Sequence, residues 1–223
     1  MRPTIFSRLF RRSERETTRD PSEHSSALRA PQSSPIPSVA PEQARPALPP
    51  AAEEPEHFKA ATVDEVLRIE EVANAEFYVG DLFRRRFRGD PPDYPKHFVA
   101  FYKPDRSMLQ AVGYVHYTSF EDSWLCGGLV IDDRLYRRMP AAHRNLIREA
   151  GGIAEKLLRD TFARLADAPA IWGYVGDALA EKVDLRAGFR HTTDRYVMVC
   201  WNKTLPDDEK QQRLARVVAL GPF

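Results

Sequence analysis

Cysteine is scarce in this chain: Cys126 and Cys200 are the two among 223 residues, far apart and each inside an apolar run. That spacing excludes the paired ligands of a structural zinc site and the dense framework of a small disulfide-stapled domain, so a reducing, cytoplasmic setting is expected. Charge of one sign is missing too. The 33 Lys and Arg against 32 Asp and Glu leave a formal net charge of +1. No overall field therefore draws the protein to nucleic acid, and neither nucleic acid nor a metal is among its expected partners. No stretch reaches the roughly 18 consecutive apolar residues that a membrane-spanning helix needs.

Large apolar side chains are almost absent from one part of the sequence. Residues 1–56 carry ten of the eighteen prolines, with many Ser, Ala, Glu and Arg and little to bury after Phe10. Such a composition cannot offset the entropy of ordering the chain, so a disordered tail is expected over 1–56. All three Trp, all eight Tyr and ten of the twelve Phe follow it, from Phe58 on, which suits a single domain over 57–223. At the start of the tail, Ile5, Phe6, Leu9 and Phe10 recur at helical spacing among Arg2, Arg8, Arg11 and Arg12. A basic amphipathic segment of this kind suits weak contact with an anionic membrane, or a targeting signal.

Within the domain, Thr62-Val-Asp-Glu65 fits a capping box, and Val63, Val66, Leu67, Glu70, Ala73 and Phe77 trace one helical stripe. A second short helix is expected over Leu82–Phe87, before Gly89 and Pro91-Pro92. The period then falls to two. Residues 97–102, 109–120 and 124–131 read as three strands joined by short turns, an antiparallel meander. The stretch 140–166 is helical in pattern but broken at Gly151-Gly152, and Ala154, Leu157, Leu158, Thr161, Phe162 and Leu165 form a clear stripe after the break. A strand over 170–175, a short helix over 178–185, a hairpin around Thr193-Asp194 and a helix from Pro206 complete the reading.

The chemistry concentrates where a strand leads through Gly151-Gly152-Ile-Ala154 into an amphipathic helix. Small residues there let an anionic ligand approach the amides at a helix start, where the dipole adds attraction. With that feature in place, the order of elements over about Thr62–Asn202 resembles the GNAT acyltransferases. The family's pyrophosphate motif is Arg or Gln, two residues, Gly, one residue, then Gly or Ala. The matching stretch is Glu149-Ala-Gly-Gly152-Ile-Ala154, followed by Leu157-Leu158, with Glu149 in the place of Arg or Gln and Arg148 beside it. A second match runs from Asp177 through Ala180 to Gly188-Phe189, with Asp184 where the family often has Tyr. The connection from Ile131 to Gly151 is longer than the family's usual one.

The resemblance implies an α/β (α+β) fold, with a mixed, mainly antiparallel sheet flanked by helices. It also implies acetyl-CoA or another acyl-CoA as co-substrate and an amine, small molecule or protein, as acceptor. Strands ending at Ile131 and Val175 would splay apart, with pantetheine on the backbone of Val130 and Ile131 and pyrophosphate at Arg148, Gly151, Gly152, Ile153 and Ala154. The amine would attack the thioester directly. Tyr174 or Asp184 would protonate the thiolate, the latter only with a raised pKa. Asp132, with Glu121, Asp133 and His116, are the candidates to take the amine's proton. The run Arg84-Arg-Arg-Phe-Arg88 would border the acceptor site and favour an acidic acceptor. Glu149 and Asp184 motivate a second reading, a catalytically silent module that binds a ligand or protein; the amphipathic start motivates a third, an interaction protein anchored by its N-terminus.

Overall fold

A computed structural model describes residues 60–93 and 96–223, so the expected tail, its amphipathic start and the domain boundary near residue 57 lie outside the described residues. Glu65 accepts from the backbone N–H groups of Ala61 (2.6 Å) and Thr62 (3.0 Å), the return half of the capping box. These bonds hold the Glu65 carboxyl below its ordinary pKa.

The helix they open, α1 (Val63–Val66), lasts one turn, and the chain then becomes strand β1 (Leu67–Glu71). The long stripe expected from Val63 to Phe77 is thus corrected. Leu67 and Ile69 alternate with exposed Arg68 and half-buried Glu70, a period of two that serves a strand paired with Phe98–Tyr102. Helix α2 (Ala75–Phe87) starts later, with the Asn74 side chain accepting from Phe77 N–H, and it absorbs the short helix expected at Leu82.

Strands β2 (Lys96–Tyr102), β3 (Gln110–Phe120) and β4 (Ser123–Ile131) form the expected meander. The connection that follows is helical: α3 (Asp133–Arg138), unforeseen in the sequence, then α4 (Ala141–Glu149) and α5 (Ile153–Arg164). Strand β5 (Ala170–Tyr174), helix α6 (Ala178–Ala187), strands β6 (Arg190–His191) and β7 (Val197–Trp201), and helix α7 (Asp207–Val218) complete the domain. The seven strands form one sheet in the order β1-β2-β3-β4-β5-β7-β6, with β4–β5 its one parallel pair.

The two sheet faces are covered by different helices. On one, Phe98, Ala100, Val115 and Tyr117 pack with Leu157, Leu158 and Phe162 of α5 and Phe189. Thr161 is buried there. Its hydroxyl bonds the Tyr117 hydroxyl at 2.6 Å and donates to Leu157 O at 2.9 Å, so no polar group is stranded under the helix. On the other face α2 covers Val99, Tyr114 and Val130, while Leu214 and Val217 of α7 cover Trp172, Val197 and Val199. Arg213 pairs with Asp122 and Arg216 with Glu121, which fastens α7 to the β3–β4 turn.

Candidate functional site

The parallel ladder between β4 and β5 is short. Trp124, Leu125 and Cys126 pair with Ile171, Trp172 and Gly173, and there the pairing stops while β4 runs on to Ile131. Beyond Cys126 no ladder pairing joins the two strands, and β4 continues for five residues. The backbone along this edge has a definite orientation. Asp132 N–H donates to Val112 O at 2.8 Å, so the alternation of an antiparallel ladder turns the peptide groups of Val130 to β3 and those of Ile131 away from it. Of the two residues expected to hold pantetheine, Ile131 therefore presents its backbone, whereas Val130 is occupied by β3 and buries its side chain under α2.

The wall facing α5 and α6 is apolar yet incompletely buried. Cys126, Leu129 and Ile131 of β4 and Ala180 and Val183 of α6 are half-buried, while Ala187 is the one fully buried residue of α6. Among the described residues no group of three or more His, Cys, Asp or Glu side chains could hold a metal.

The Gly151-Gly152 break lies between α4 and α5. Gly151 N–H donates to Arg148 O (3.0 Å) and Gly152 N–H to Ile147 O (2.8 Å), so both amides close the end of α4. They are not the anion donors expected of them. The N–H groups without an acceptor in the helix are those of Ile153, Ala154 and Glu155, the first three of α5, whose first internal bond is Lys156 N–H to Gly152 O. Gly152 has φ +94°, and a Cβ on it would meet nothing within 4 Å. Open space thus lies where a ligand would approach these amides.

Gly151 is different. At φ +93°, a Cβ there would lie 2.4 Å from Glu155 Cδ. Glu155 is buried at the third position of α5, its carboxylate bound at 2.7 Å by both Arg159 and Arg186. The sequence singled out neither Glu155 nor these arginines; the available signal was an acid three residues past Gly152 with a base four further on. Arg148 and Glu149 are both exposed, and Arg148 donates to Asn145 Oδ1 at 2.7 Å.

Of the three expected catalytic residues, Asp184 lies on α6, on the side of the sheet that α5 and α6 cover. Its charge acts on Cys126 and Tyr117, which pair across β3 and β4 at the point where β5 departs. Burial, reinforced by Asp177 and Glu181, raises its carboxyl from an ordinary 3.8 to about 7. It therefore holds its proton over part of the range near neutral pH.

Tyr174 stands on the opposite face of the sheet, packed with the α7 cluster. Its ring stacks on Tyr196 at 5.6 Å and meets Phe223 edge-on at 5.9 Å. Burial raises its phenol, helped by Tyr196 and Asp194, which makes it a poorer proton donor. Asp132 caps α3, accepting from Arg134 N–H (2.9 Å) and Leu135 N–H (3.1 Å), and it also binds Arg85 at 3.1 Å. Its carboxylate serves the fold. His116 is buried against Gly127-Gly128, with its pKa lowered to about 3 by burial and by His97. Glu121 is paired with Arg216, and Asp133 lies in the first turn of α3. The Arg84–Arg88 run is partly neutralised, since Arg84 binds Glu76, Asp81 and Asp90 and Arg85 binds Asp132.

The architecture is a mixed, mainly antiparallel seven-stranded sheet flanked by helices. Such a sheet is the fold the sequence resemblance implies. No protein-family model matches the chain, and no curated protein matches it. Solved structures that match include the ribosomal-protein-S18-alanine N-acetyltransferase from Escherichia coli, 11% identical over 64% of this chain and 97% of that one, with a TM-score of 0.44. A GNAT family acetyltransferase from Brucella melitensis, in complex with acetyl-CoA, is 14% identical over 64% of this chain and 92% of its own, with a TM-score of 0.43. The Campylobacter jejuni N-acetyltransferase PseH, in complex with acetyl coenzyme A, is 13% identical over 60% and 96%, with a TM-score of 0.36.

Proposed function

We propose that the protein is an acyl-CoA-dependent N-acyltransferase of the GNAT type, with acetyl-CoA or a related thioester as donor and an amine as acceptor. The observation that carries the reading is the β4–β5 ladder, which ends at Cys126 and Gly173 next to half-buried apolar residues of β4 and α6, while the first three amides of α5 have no acceptor within the helix. Pantetheine would pair with the backbone of Ile131 and lie along Leu129, and the pyrophosphate would sit on the N–H groups of Ile153, Ala154 and Glu155 beside Gly152. Arg148 supplies a cation at the rim. The residues present suit coenzyme A, because open space at Gly152 coincides with unbonded amides.

The acceptor amine attacks the thioester carbonyl directly. The C–N bond forms as the C–S bond breaks, the departing thiolate takes its proton from Asp184, and the amine's proton passes to solvent. Positioning does most of this work. Asp184 is favoured over Tyr174 as the acid because it lies on the side of the sheet that α5 and α6 cover and is a stronger acid than a buried phenol.

A second reading, a ligand-binding module without turnover, is favoured by one observation: the Glu155 carboxylate sits beside the amides that would receive phosphate. Calorimetric titration with acetyl-CoA, followed by thiol release in the presence of an amine panel, separates the two. Binding with thiol release supports the transferase, binding without release supports the silent module, and no binding at millimolar acetyl-CoA overturns both.

A further inference from the structure

Positive charge is gathered on one part of this nearly neutral chain. The last turn of α2 carries Arg84, Arg85 and Arg86, Arg88 caps the helix, and α3 carries Arg134, Arg137 and Arg138. Arg85 binds Asp132, the cap of α3, at 3.1 Å, which joins the end of α2 to the start of α3 beside the end of β4. Arg84 is held by Glu76, Asp81 and Asp90. Arg86, Arg88, Arg134, Arg137 and Arg138 are exposed, and none of the five pairs with a carboxylate among the described residues. Asp133 is the one acid within α3.

Local physics accounts for only some of these arginines. A helix dipole favours bases in a last turn, as at Arg86, Arg137 and Arg138, but it opposes Arg134 in the first turn of α3. Arg88 has φ +58°, a left-handed conformation that glycine takes more easily at the end of a helix. Core packing does not call for them either, since α3 packs Leu135 and Tyr136, not its arginines, against the core. Arginines kept against such preferences, on two helix ends and without an internal partner, are suited to carboxylates from outside, which the guanidinium fork takes two oxygens at a time. We propose that this α2–α3 surface binds an acidic segment of a partner protein. Among the described residues, none of the large apolar side chains left exposed belongs to the last turn of α2 or to α3. The surface thus has no platform for stacked bases and no wedge for a bilayer, which disfavours single-stranded nucleic acid and anionic lipid.

Fluorescence anisotropy of a labelled Glu-rich peptide, titrated with the full chain at low salt, tests this. No cofactor is needed, so the outcome is independent of the acyl-transfer reading. Arg134→Gln, Arg137→Gln and Arg138→Gln together keep good helix formers on an exposed face and should weaken binding about tenfold. The same loss of charge elsewhere on the surface, in Lys182→Gln, Arg195→Gln and Lys203→Gln together, should weaken it by less than about twofold. Asp133→Asn removes the surface's own acid and should tighten binding about twofold, a gain that misfolding cannot produce. Equal losses in the two triple variants overturn the proposal, since net charge alone would then explain binding. So does the absence of peptide binding at the highest soluble protein concentration, and so does tighter binding of an oligonucleotide or of phosphatidylserine vesicles at the same salt.

Discussion

Two adjacent glycine pairs, Gly127-Gly128 in β4 and Gly151-Gly152 before α5, look alike in sequence and do different work. At the first, the space of both missing side chains is filled from within: a Cβ on Gly127 would lie 2.8 Å from His116 Nε2, and one on Gly128 2.4 Å from His116 Cε1. The register shift between β3 and β4 falls at this point, and Gly128 has φ +58°. This pair is packing. At the second, Gly151 is also filled from within, by Glu155, but Gly152 faces open space beside three unbonded amides. A glycine whose vacancy is occupied by its own protein serves the fold; one whose vacancy is empty leaves room for something else.

Breaking the first pair should have the largest effect. Gly128→Ala combines a clash with the buried His116 ring and a left-handed backbone, and should cost about 3 kcal/mol, lowering the thermal midpoint by roughly 10 °C. A shift within error in a melting experiment would mean that the ring moves freely and the pair is not a packing device.

Next in size is the loss of the proposed proton donor. Asp184→Asn should lower kcat about a hundredfold while leaving acetyl-CoA affinity unchanged. Its effect on stability has a definite sign. The folded pKa of Asp184, about 7, lies above its ordinary 3.8, so the folded state holds this proton more tightly and wild-type stability falls as pH rises from about 4 to 7. The Asn variant should therefore be the more stable protein above pH 7, and the gap should close toward pH 4 in denaturant titrations. Equal kcat in the two proteins would remove Asp184 from the mechanism.

The second pair is best probed without replacing Gly152, whose φ of +94° would strain any other residue. Ala154→Asp places an acid in the first turn of α5. It should leave stability unchanged or raise it by about 0.5 kcal/mol through the helix dipole, yet weaken acetyl-CoA binding about tenfold by repelling its phosphates. Unchanged affinity by calorimetry would put the pyrophosphate elsewhere. The smallest effect is expected at Glu155→Gln, which removes a carboxylate beside the same amides and frees Arg159 and Arg186. Binding should tighten about threefold while stability drops by about 1 kcal/mol, opposite signs that a purely structural glutamate would not produce.

Much of the fold was legible locally. The alternation over residues 97–131 marked the three central strands, and Leu157, Leu158, Thr161 and Phe162 marked the buried face of α5. Strand β1 was not, because Val63, Val66, Leu67, Glu70, Ala73 and Phe77 also satisfy a helical period. Only its partner, β2, decides for the strand. Helix α3 escaped notice for a similar reason: its six residues bury none of their side chains fully and show no stripe, and the Asp132 cap that starts it reads equally well as a solvated turn acid. In the proposed site, Ile153 and Ala154 open α5 and Arg148 is exposed near the end of α4. The roles of the Gly151 and Gly152 amides and of Val130 depended on hydrogen bonds that spacing does not reveal.

By itself the sequence determined the order of elements, the Gly-opened helix and the placement of an acid, Asp184, where the resemblance implies a proton donor, since these follow from local period, small residues and turn chemistry. Tertiary structure decided the protonation of that acid, because its elevated pKa comes from burial and from Asp177 and Glu181 around it. It also decided where the parallel pairing of β4 and β5 ends, because that pairing joins strands distant in sequence.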